Sequence, residues 1–216
     1  MQPSGLRTIS LALAPSNPTG FGFEAGQYLL VKHPNGTMVP LSIASAPSRL
    51  PNLELLYRSD QASEAALAFD ELLSKSTSLE VDGPFGDATL AQIQPTQGLR
   101  VVASGTGIAQ ALSLVEALGD MPRPWQTQVL WATQIQTPSS DRLLQNQPWL
   151  KVMRCQSAEL AAALAASVEQ QGEQPSAVKT LIAGPPDFVY QVTDTLLAAG
   201  VALDSLAADA FSYAPR

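Results

Sequence analysis

The chain has 216 residues, 45% of them hydrophobic, and its formal net charge at pH 7 is -7. That length accommodates one large or two small domains, and the hydrophobic content is enough for each to bury a core. The negative charge excludes a general nucleic-acid binder, because binding to a phosphate backbone requires a cationic surface. The single cysteine, Cys155, excludes an internal disulfide and an iron–sulfur cluster held by this chain alone.

No stretch of the sequence has the composition of a membrane segment. The longest uncharged run, Val101 to Val115, is interrupted by polar residues and is shorter than the roughly 20 apolar residues that cross a bilayer. The initial segment MQPSGLRTIS lacks the apolar core of a signal peptide. We therefore expect no membrane span and a cytoplasmic location.

Residues 1–97 have the pattern of short antiparallel strands. Ile9, Leu11 and Leu13 alternate with polar or small residues, and Asn35-Gly36 suits a tight hairpin turn. A helical period with an apolar face runs from Ser63, the predicted N-cap, to Leu73. The other predicted strands are Tyr28 to Lys32, Val39 to Ala44, Leu53 to Arg58 and Ser78 to Val81.

Residues 98–216 alternate short apolar strands with stretches of high helical propensity. This alternation predicts a parallel sheet covered by helices. The fold class is therefore a two-domain one, an antiparallel β-barrel followed by an α/β domain, with the boundary near residue 97. The alanine-rich run from Ser157, its predicted N-cap, to Gln170 favours a helix. The predicted strands are Val101 to Ala103, Val129 to Ala132, Val152 to Cys155 and Thr180 to Ala183.

Two glycine-containing turns follow strands of the predicted parallel sheet. One runs from Ser104 to Ala109 and leads into a helix, and the other is Ala183-Gly184-Pro185-Pro186. Glycine permits a sharp turn and the close approach of a ligand, and the N–H groups at a helix start can hold an anion. Open α/β sheets bind cofactors at the carboxyl ends of their strands. The turns therefore indicate a ligand site. For the first turn, an ordinary connection between a strand and a helix with no ligand is an alternative interpretation.

The residue types that often carry acid–base or nucleophilic chemistry have structural interpretations here. His33, the only histidine, stands next to a predicted turn, and we expect it at an exposed strand end. Cys155 lies in an apolar strand pattern and is expected in the core. Asp82 is interpreted as a structural residue before a turn. No catalytic triad is found.

The order of the motifs is more specific than any one of them. They are Phe23-Glu24-Ala25-Gly26-Gln27-Tyr28, Pro40-Leu41-Ser42-Ile43-Ala44-Ser45, Asp82-Gly83-Pro84-Phe85-Gly86, Gly105-Thr106-Gly107-Ile108-Ala109, Ala183-Gly184-Pro185-Pro186 and Asp209-Ala210-Phe211. Together they resemble the ferredoxin-reductase-like family of flavin oxidoreductases, and most closely its bacterial NAD(P)H:flavin reductase branch.

The resemblance implies a cofactor-binding role for each motif. The flavin is implied to lie along Pro40, Leu41, Ser42 and Ile43, with Leu41 beside the ring. The pyrophosphate of NADH or NADPH is implied at Gly105, Thr106, Gly107 and Ile108, and its nicotinamide ribose near Gly184, Pro185 and Pro186. The closing segment beside both rings is implied to contain Asp209 and Phe211. Ser42 and Phe211 are the implied catalytic contacts.

The reaction implied by the resemblance is hydride transfer from the nicotinamide C4 to the flavin N5. The flavin, whether FAD, FMN or riboflavin, does the electronic work, and the protein stacks the two rings. No protein acid or base is obligatory for this transfer.

The sequence departs from the family pattern in three ligand-contact segments. Val39 stands where relatives have an arginine that contacts the flavin phosphate or ribityl chain, and Leu41 stands where they have an aromatic that stacks on the ring. Flavin affinity should therefore fall, and Arg58 is a candidate to compensate for the missing arginine. Asp60 lies where FAD-retaining relatives have a glycine-rich helix start, and its charge would repel phosphate. Gln134 replaces the adenosine-end arginine, which tilts the choice towards NADH. Residues 1–8 also leave little room for the family's first barrel strand.

Three functions are compatible with this pattern. One is an NAD(P)H:flavin reductase that takes free flavin as a diffusible substrate. Another is a reductase subunit that retains its flavin and passes electrons to a separate ferredoxin, oxygenase or haem protein. The third is a degenerate relative that keeps the fold as a binding module without turnover. The expected partners are small-molecule flavin and nicotinamide and, for the second function, a protein electron acceptor.

Overall fold

A computed structural model of the chain describes residues 5–14, 20–59, 64–93, 97–122, 124–133, 147–170 and 177–216. The N-terminal part contains antiparallel sheets and the C-terminal part a five-stranded parallel sheet. The predicted fold class is therefore confirmed. The predicted N-cap Ser63 and the departures at Asp60 and Gln134 lie outside the described residues.

The N-terminal part is built from two antiparallel sheets that share one core. Its described elements are β1 (Gly5–Ala12), β2 (Tyr28–Lys32), β3 (Met38–Ser42), β4 (Asn52–Ser59), α1 (Glu64–Lys75), β5 (Val81–Phe85) and α2 (Leu90–Ile93). The sheets are β1-β4 and β3-β2-β5, and a bridge between Ile43 and Leu55 connects them. Strand β1 pairs with β4 over its whole length. The expectation that residues 1–8 leave little room for the family's first barrel strand stays a prediction.

Side chains alternate between the two faces of β2 and β3. Leu29, Val31 and Leu41 point into the core of the N-terminal part, where each is buried. Tyr28 and Leu30 on β2 lie on the other face, as the period of two in a strand requires. This outer face forms one wall of the site described below.

The expected exposure of His33 was wrong. Only 6% of the residue is accessible, and its ring stacks on Phe69 of α1 with 5.9 Å between centroids. The position next to a turn indicated solvent, but α1 packs back over the end of β2 and covers the imidazole. Strand β5 also begins later than predicted, at Val81, and it continues to Phe85, although the sequence predicted a turn after Asp82.

The C-terminal part is a parallel sheet with helices on both faces. Its described elements are β6 (Gly98–Ser104), α3 (Ile108–Gly119), β7 (Thr127–Ala132), β8 (Leu150–Cys155), α4 (Leu160–Glu169), β9 (Val178–Ala183), α5 (Pro186–Ala198), β10 (Leu206–Ala207) and α6 (Ala210–Tyr213). The strand order is β10-β9-β6-β7-β8. Helix α3 packs on one face, and α4 and α5 on the other.

Helix α3 is buried between the parallel sheet and the N-terminal part. Its apolar residues share a cluster with Val101 and Val129 of the sheet and with Leu6 and Leu56 of β1 and β4. The two halves therefore have a common apolar interior, and the boundary at residue 97 stays a prediction. Cys155 lies in the core as expected.

The cap of the alanine-rich helix differs from the prediction. Gln156, and not Ser157, precedes the first helical turn, and a capping box joins it to Glu159. The Gln156 N–H donates to the Glu159 carboxylate at 3.0 Å. Separately, in the described ranges no helix combines the length and apolar character that crossing a membrane requires.

Candidate active site

An open cleft of about 410 Å³ lies where the N-terminal sheet meets the carboxyl ends of the parallel strands. Its walls come from the outer face of β2 and β3, the turns after β6 and β9, and the C-terminal segment. The lining residues are Tyr28, Leu30, Pro40, Ser42, Thr106, Gly107, Gln110, Ile182, Ala183, Gly184, Pro185, Val189, Asp209, Ala210 and Tyr213. Segments far apart in the sequence thus meet at one site.

The β3 wall contributes Pro40 and Ser42 but not the two residues that alternate with them. Leu41 is 6% exposed and Ile43 is fully buried, both in the core of the N-terminal part. The side chain of Leu41 therefore does not reach the cleft as the resemblance implied. The Ser42 hydroxyl has no hydrogen-bond partner in the described part of the chain and faces the cleft, which leaves it available to a ligand.

The turn after β6 brings Thr106 and Gly107 to the cleft. Gly105 adopts a φ of +54°, which favours glycine, and a Cβ there would meet no atom within 4 Å. A Cβ on Gly107 would lie 2.2 Å from the carbonyl oxygen of Ala183. Ile108, the first residue of α3, is buried in the core. Backbone packing thus accounts for Gly107 independently of any ligand.

The turn after β9 stands directly beside the first one. Gly184 and Pro185 line the cleft, whereas Pro186 begins α5 and is not among the lining residues. A Cβ on Gly184 would lie 2.8 Å from the ring of Phe188 and 3.3 Å from Ser104. The two glycines therefore let the β6 and β9 turns pack against each other at the edge of the sheet.

Asp209 is a mostly buried carboxylate on the floor of the cleft. Its Oδ1 accepts hydrogen bonds from the backbone N–H groups of Asp87 at 3.0 Å and Ala88 at 3.1 Å. Its Oδ2 accepts one from Nε2 of Gln110 at 2.8 Å. Burial raises the pKa of Asp209 above its ordinary value, although these hydrogen bonds oppose the shift. The carboxylate joins both halves of the molecule at the site.

Three of the lining residues with polar side chains were given no role by the sequence. Tyr28 and Tyr213 place phenol rings in the cleft, and Gln110 places an amide there. Burial raises the pKa of both tyrosines, as does the nearby Asp209 charge, so both stay protonated at neutral pH. Strand alternation could have identified Tyr28, since it shares a face with Leu30. Nothing local distinguishes Gln110 from an ordinary polar helix residue.

Two predicted site residues lie elsewhere. Phe211 packs against Tyr190 with 5.9 Å between ring centroids and is not among the lining residues. Arg58 is exposed on β4, opposite Leu6 of β1. Of the lining residues that the structure describes, none is a lysine or an arginine. A bound phosphate would therefore depend on backbone N–H groups and the Thr106 hydroxyl.

The architecture is that of the ferredoxin reductases. A ferredoxin NADP+ reductase from Neisseria gonorrhoeae, solved with bound FAD and NADP, superposes with a TM-score of 0.71 at 18% identity. The superposition covers 94% of this chain and 92% of the Neisseria chain. The chain thus has the ferredoxin-reductase-like two-domain fold.

Sequence comparison adds flavin reductases to the relatives, although no family model matches the chain. An NAD(P)H-flavin reductase of Vibrio harveyi is 33% identical over 121 residues, which is 54% of this chain and 50% of that protein. Reductase component 1 of the terephthalate 1,2-dioxygenase of a Comamonas species is 31% identical over 109 residues, 50% of this chain and 32% of that protein. The matches thus span half or less of these relatives. The chain thus has the fold of the ferredoxin reductases, and its sequence is similar to flavin reductases over about half of its length.

Proposed function

We propose that this chain is an NADH-dependent flavin reductase that binds flavin and nicotinamide together in the cleft. The observation that carries the proposal is the convergence of Ser42, the β6 turn and the β9 turn on one open space of about 410 Å³. A degenerate scaffold would be expected to fill that space with its own side chains. The similarity to the Vibrio flavin reductase supports the same function.

The residues of the cleft fit two flat rings and one dinucleotide phosphate. The outer face of β2 and β3 offers a wall with Ser42, whose hydroxyl can hydrogen-bond the edge of a heterocycle. The N–H groups before α3 and the Thr106 hydroxyl can hold the pyrophosphate. When bound, the flavin supplies the hydride-accepting chemistry. The protein then orients the two rings against each other, with Tyr213 at the cleft wall.

We propose that the flavin is a diffusible substrate and not a permanent cofactor. Val39 replaces the implied arginine, and in the described part of the chain no cationic side chain lines the cleft. Without an arginine the phosphate keeps the hydrogen bonds from backbone N–H groups but loses the bidentate ion pair that a guanidinium forms with it. The same lack of arginine supports NADH over NADPH.

A reductase subunit with retained flavin is the second candidate function. It is favoured by the similarity to the Comamonas reductase component. The absorption spectrum of the purified protein separates the two: retained flavin gives a yellow protein with a visible flavin band, whereas a diffusible flavin leaves the protein colourless until flavin is added.

The proposal is tested by measuring NADH oxidation with and without added riboflavin, FMN or FAD. We expect oxidation only with flavin, and Ser42→Ala should lower its rate about tenfold, as loss of one hydrogen bond of roughly 1.4 kcal/mol does. Ser10→Ala on the exposed part of β1 is the matched control and should behave as the wild type. Absence of flavin-dependent oxidation together with absence of flavin binding would contradict the proposal.

The nicotinamide half of the cleft is tested with Thr106→Glu. A carboxylate at the start of α3 is compatible with the helix dipole but repels a pyrophosphate, so the KM for NADH should rise about tenfold or more. The flavin dissociation constant should stay unchanged. Thr106→Gln, of the same size without the charge, is the control and should change the KM far less. Equal KM values for the two variants would contradict the assignment of the NADH pyrophosphate to this turn.

A further inference from the structure

The outer face of the β3-β2-β5 sheet continues beyond the cleft into a second cavity of about 330 Å³. Tyr28, Asp209 and Tyr213 line both spaces. Pro84 and Phe85 of β5 line only the second. The two spaces are therefore neighbouring compartments above one sheet.

Strand register places three side chains in a row across this face. Tyr28 on the central strand is paired with Ser42 on one side and with Phe85 on the other. Directly paired residues of antiparallel strands point to the same face. The rings of Tyr28 and Phe85 are 5.9 Å apart between centroids. The row spans three strands, roughly 10 Å, and it begins in the cleft and ends in the second cavity.

The second cavity is aromatic and acidic. Besides Tyr28 it exposes Phe85 and Tyr213, which are 36% and 61% accessible. Aromatic rings exposed beside a ligand cleft favour a flat apolar occupant. Among the described lining residues, the carboxylates are Asp87 and Asp209, and no lysine or arginine accompanies them. Negative charge at these carboxylates would repel a phosphate, which favours an uncharged occupant.

We propose that the second cavity takes the benzenoid end of the flavin ring system, with Ser42 at the opposite end of the row and Tyr28 beneath the middle. The assignment rests on the proposed function and extends it to the orientation of the flavin. It gives Tyr28 and Phe85 the ring contact that Leu41, buried in the core, does not make. The phosphate-bearing chain then leaves the cleft away from Asp87.

Binding of two fluorescent ligands tests this orientation without relying on turnover. Riboflavin carries the benzenoid ring, whereas 6,7-dimethyl-8-ribityllumazine is the bicyclic analogue that lacks it. We expect Phe85→Ala to weaken riboflavin binding about fivefold to tenfold, the range of one aromatic contact, and to leave lumazine binding within about twofold. Dissociation constants are measured by fluorescence titration of the purified protein.

Two further variants make the experiment specific. Phe85→Leu keeps apolar volume in β5 while removing the ring, and it should weaken riboflavin selectively even if the alanine variant folds poorly. Leu203→Ala removes another exposed apolar side chain, one that lines neither cavity, and it should change neither dissociation constant. If the Phe85 variants weaken both ligands equally, or neither, the orientation is wrong. If the wild-type protein binds neither ligand, the proposed function itself fails.

Discussion

At the scale of single residues, Gly107 illustrates how one position serves two requirements. The resemblance assigned it to the dinucleotide pyrophosphate, and it does line the cleft. The carbonyl oxygen of Ala183, 2.2 Å from where its Cβ would be, independently excludes any larger residue. A bulky substitution at Gly107 would therefore test packing between the β6 and β9 turns more than nicotinamide binding.

We predict that Gly107→Ala destabilises the protein more than Gly105→Ala does. Gly107 has an ordinary helical φ of -57°, so its penalty is steric, about 3 kcal/mol as for an overpacked core site. Gly105 has open space around it but a left-handed φ, which costs about 1–2 kcal/mol for alanine. Urea denaturation gives both free energies of unfolding. Equal losses of unfolding free energy in the two variants would mean that the steric contact at Gly107 costs no more than the left-handed backbone at Gly105.

At the scale of elements, polar side chains along one face of α3 and at its C-terminal end form hydrogen bonds to the N-terminal part. Gln110 and Ser113 donate to the carbonyl oxygens of Gly26 and Ser45 at 2.6 Å and 2.8 Å. Near the C-terminal end of α3, Glu116 accepts hydrogen bonds from the N–H of Ala46 and from Arg49. Asp120, just after the helix, accepts one from the hydroxyl of Ser48. A spacing of three or four residues is typical of a solvent-exposed stripe, but here it faces the N-terminal part.

We predict that Glu116→Ala lowers the free energy of unfolding by about 2 kcal/mol, because it leaves the N–H of Ala46 without its charged acceptor. Glu80→Ala is the matched control. It also removes a carboxylate paired with a cation, Lys32, but at an exposed site, and should cost less than about 1 kcal/mol. Chemical denaturation measures both. Indistinguishable losses would show that the α3 contact contributes no more than a surface ion pair.

At the scale of the whole molecule, Asp209 contacts both halves and makes the stability of the folded protein depend on pH. Burial raises its pKa in the folded state above the value of 3.8 that is ordinary for aspartate. The contribution of protonated Asp209 to the free energy of unfolding is therefore fully present at a pH below that ordinary pKa. It is lost as the pH rises through the raised pKa of the folded state. Ionisation of Asp209 thus costs stability at neutral pH, even though three N–H donors face the carboxylate.

We predict that Asp209→Asn removes this pH dependence. The difference in melting temperature between wild type and variant should shift in favour of the variant as the pH rises from below 3.8 towards neutrality. Taking the difference cancels the titration of all other groups that the two proteins share. A difference that stays constant with pH would show that the pKa of Asp209 is the same in the folded and unfolded states.

Much of the fold was predictable because its signals are local. The strand Tyr28–Lys32 has the predicted bounds, and the four predicted strands of the parallel sheet are all present, each two or three residues longer at its start. The misplaced start of β5 has a simple reason. Asp82-Gly83-Pro84 has turn chemistry, and only pairing with β2 makes it a strand.

The candidate site was predictable where it depends on backbone. Ser42, Thr106, Gly184 and Pro185 reach the cleft because strand alternation and strand ends place them there. Leu41 and Phe211 do not, since the face a side chain takes is set by what packs on each side of its strand or helix.

By itself the sequence determined the two-part architecture, the order of its elements and the turns that meet at the sheet edge, because each depends on neighbours along the chain. The tertiary structure alone decided the burial of His33 under α1, the α3 stripe that joins the halves, and the row from Ser42 through Tyr28 to Phe85. These features arise from contacts between residues distant in sequence. The energy of each such contact depends on the distance between the two residues in the folded structure, which a local sequence pattern does not predict.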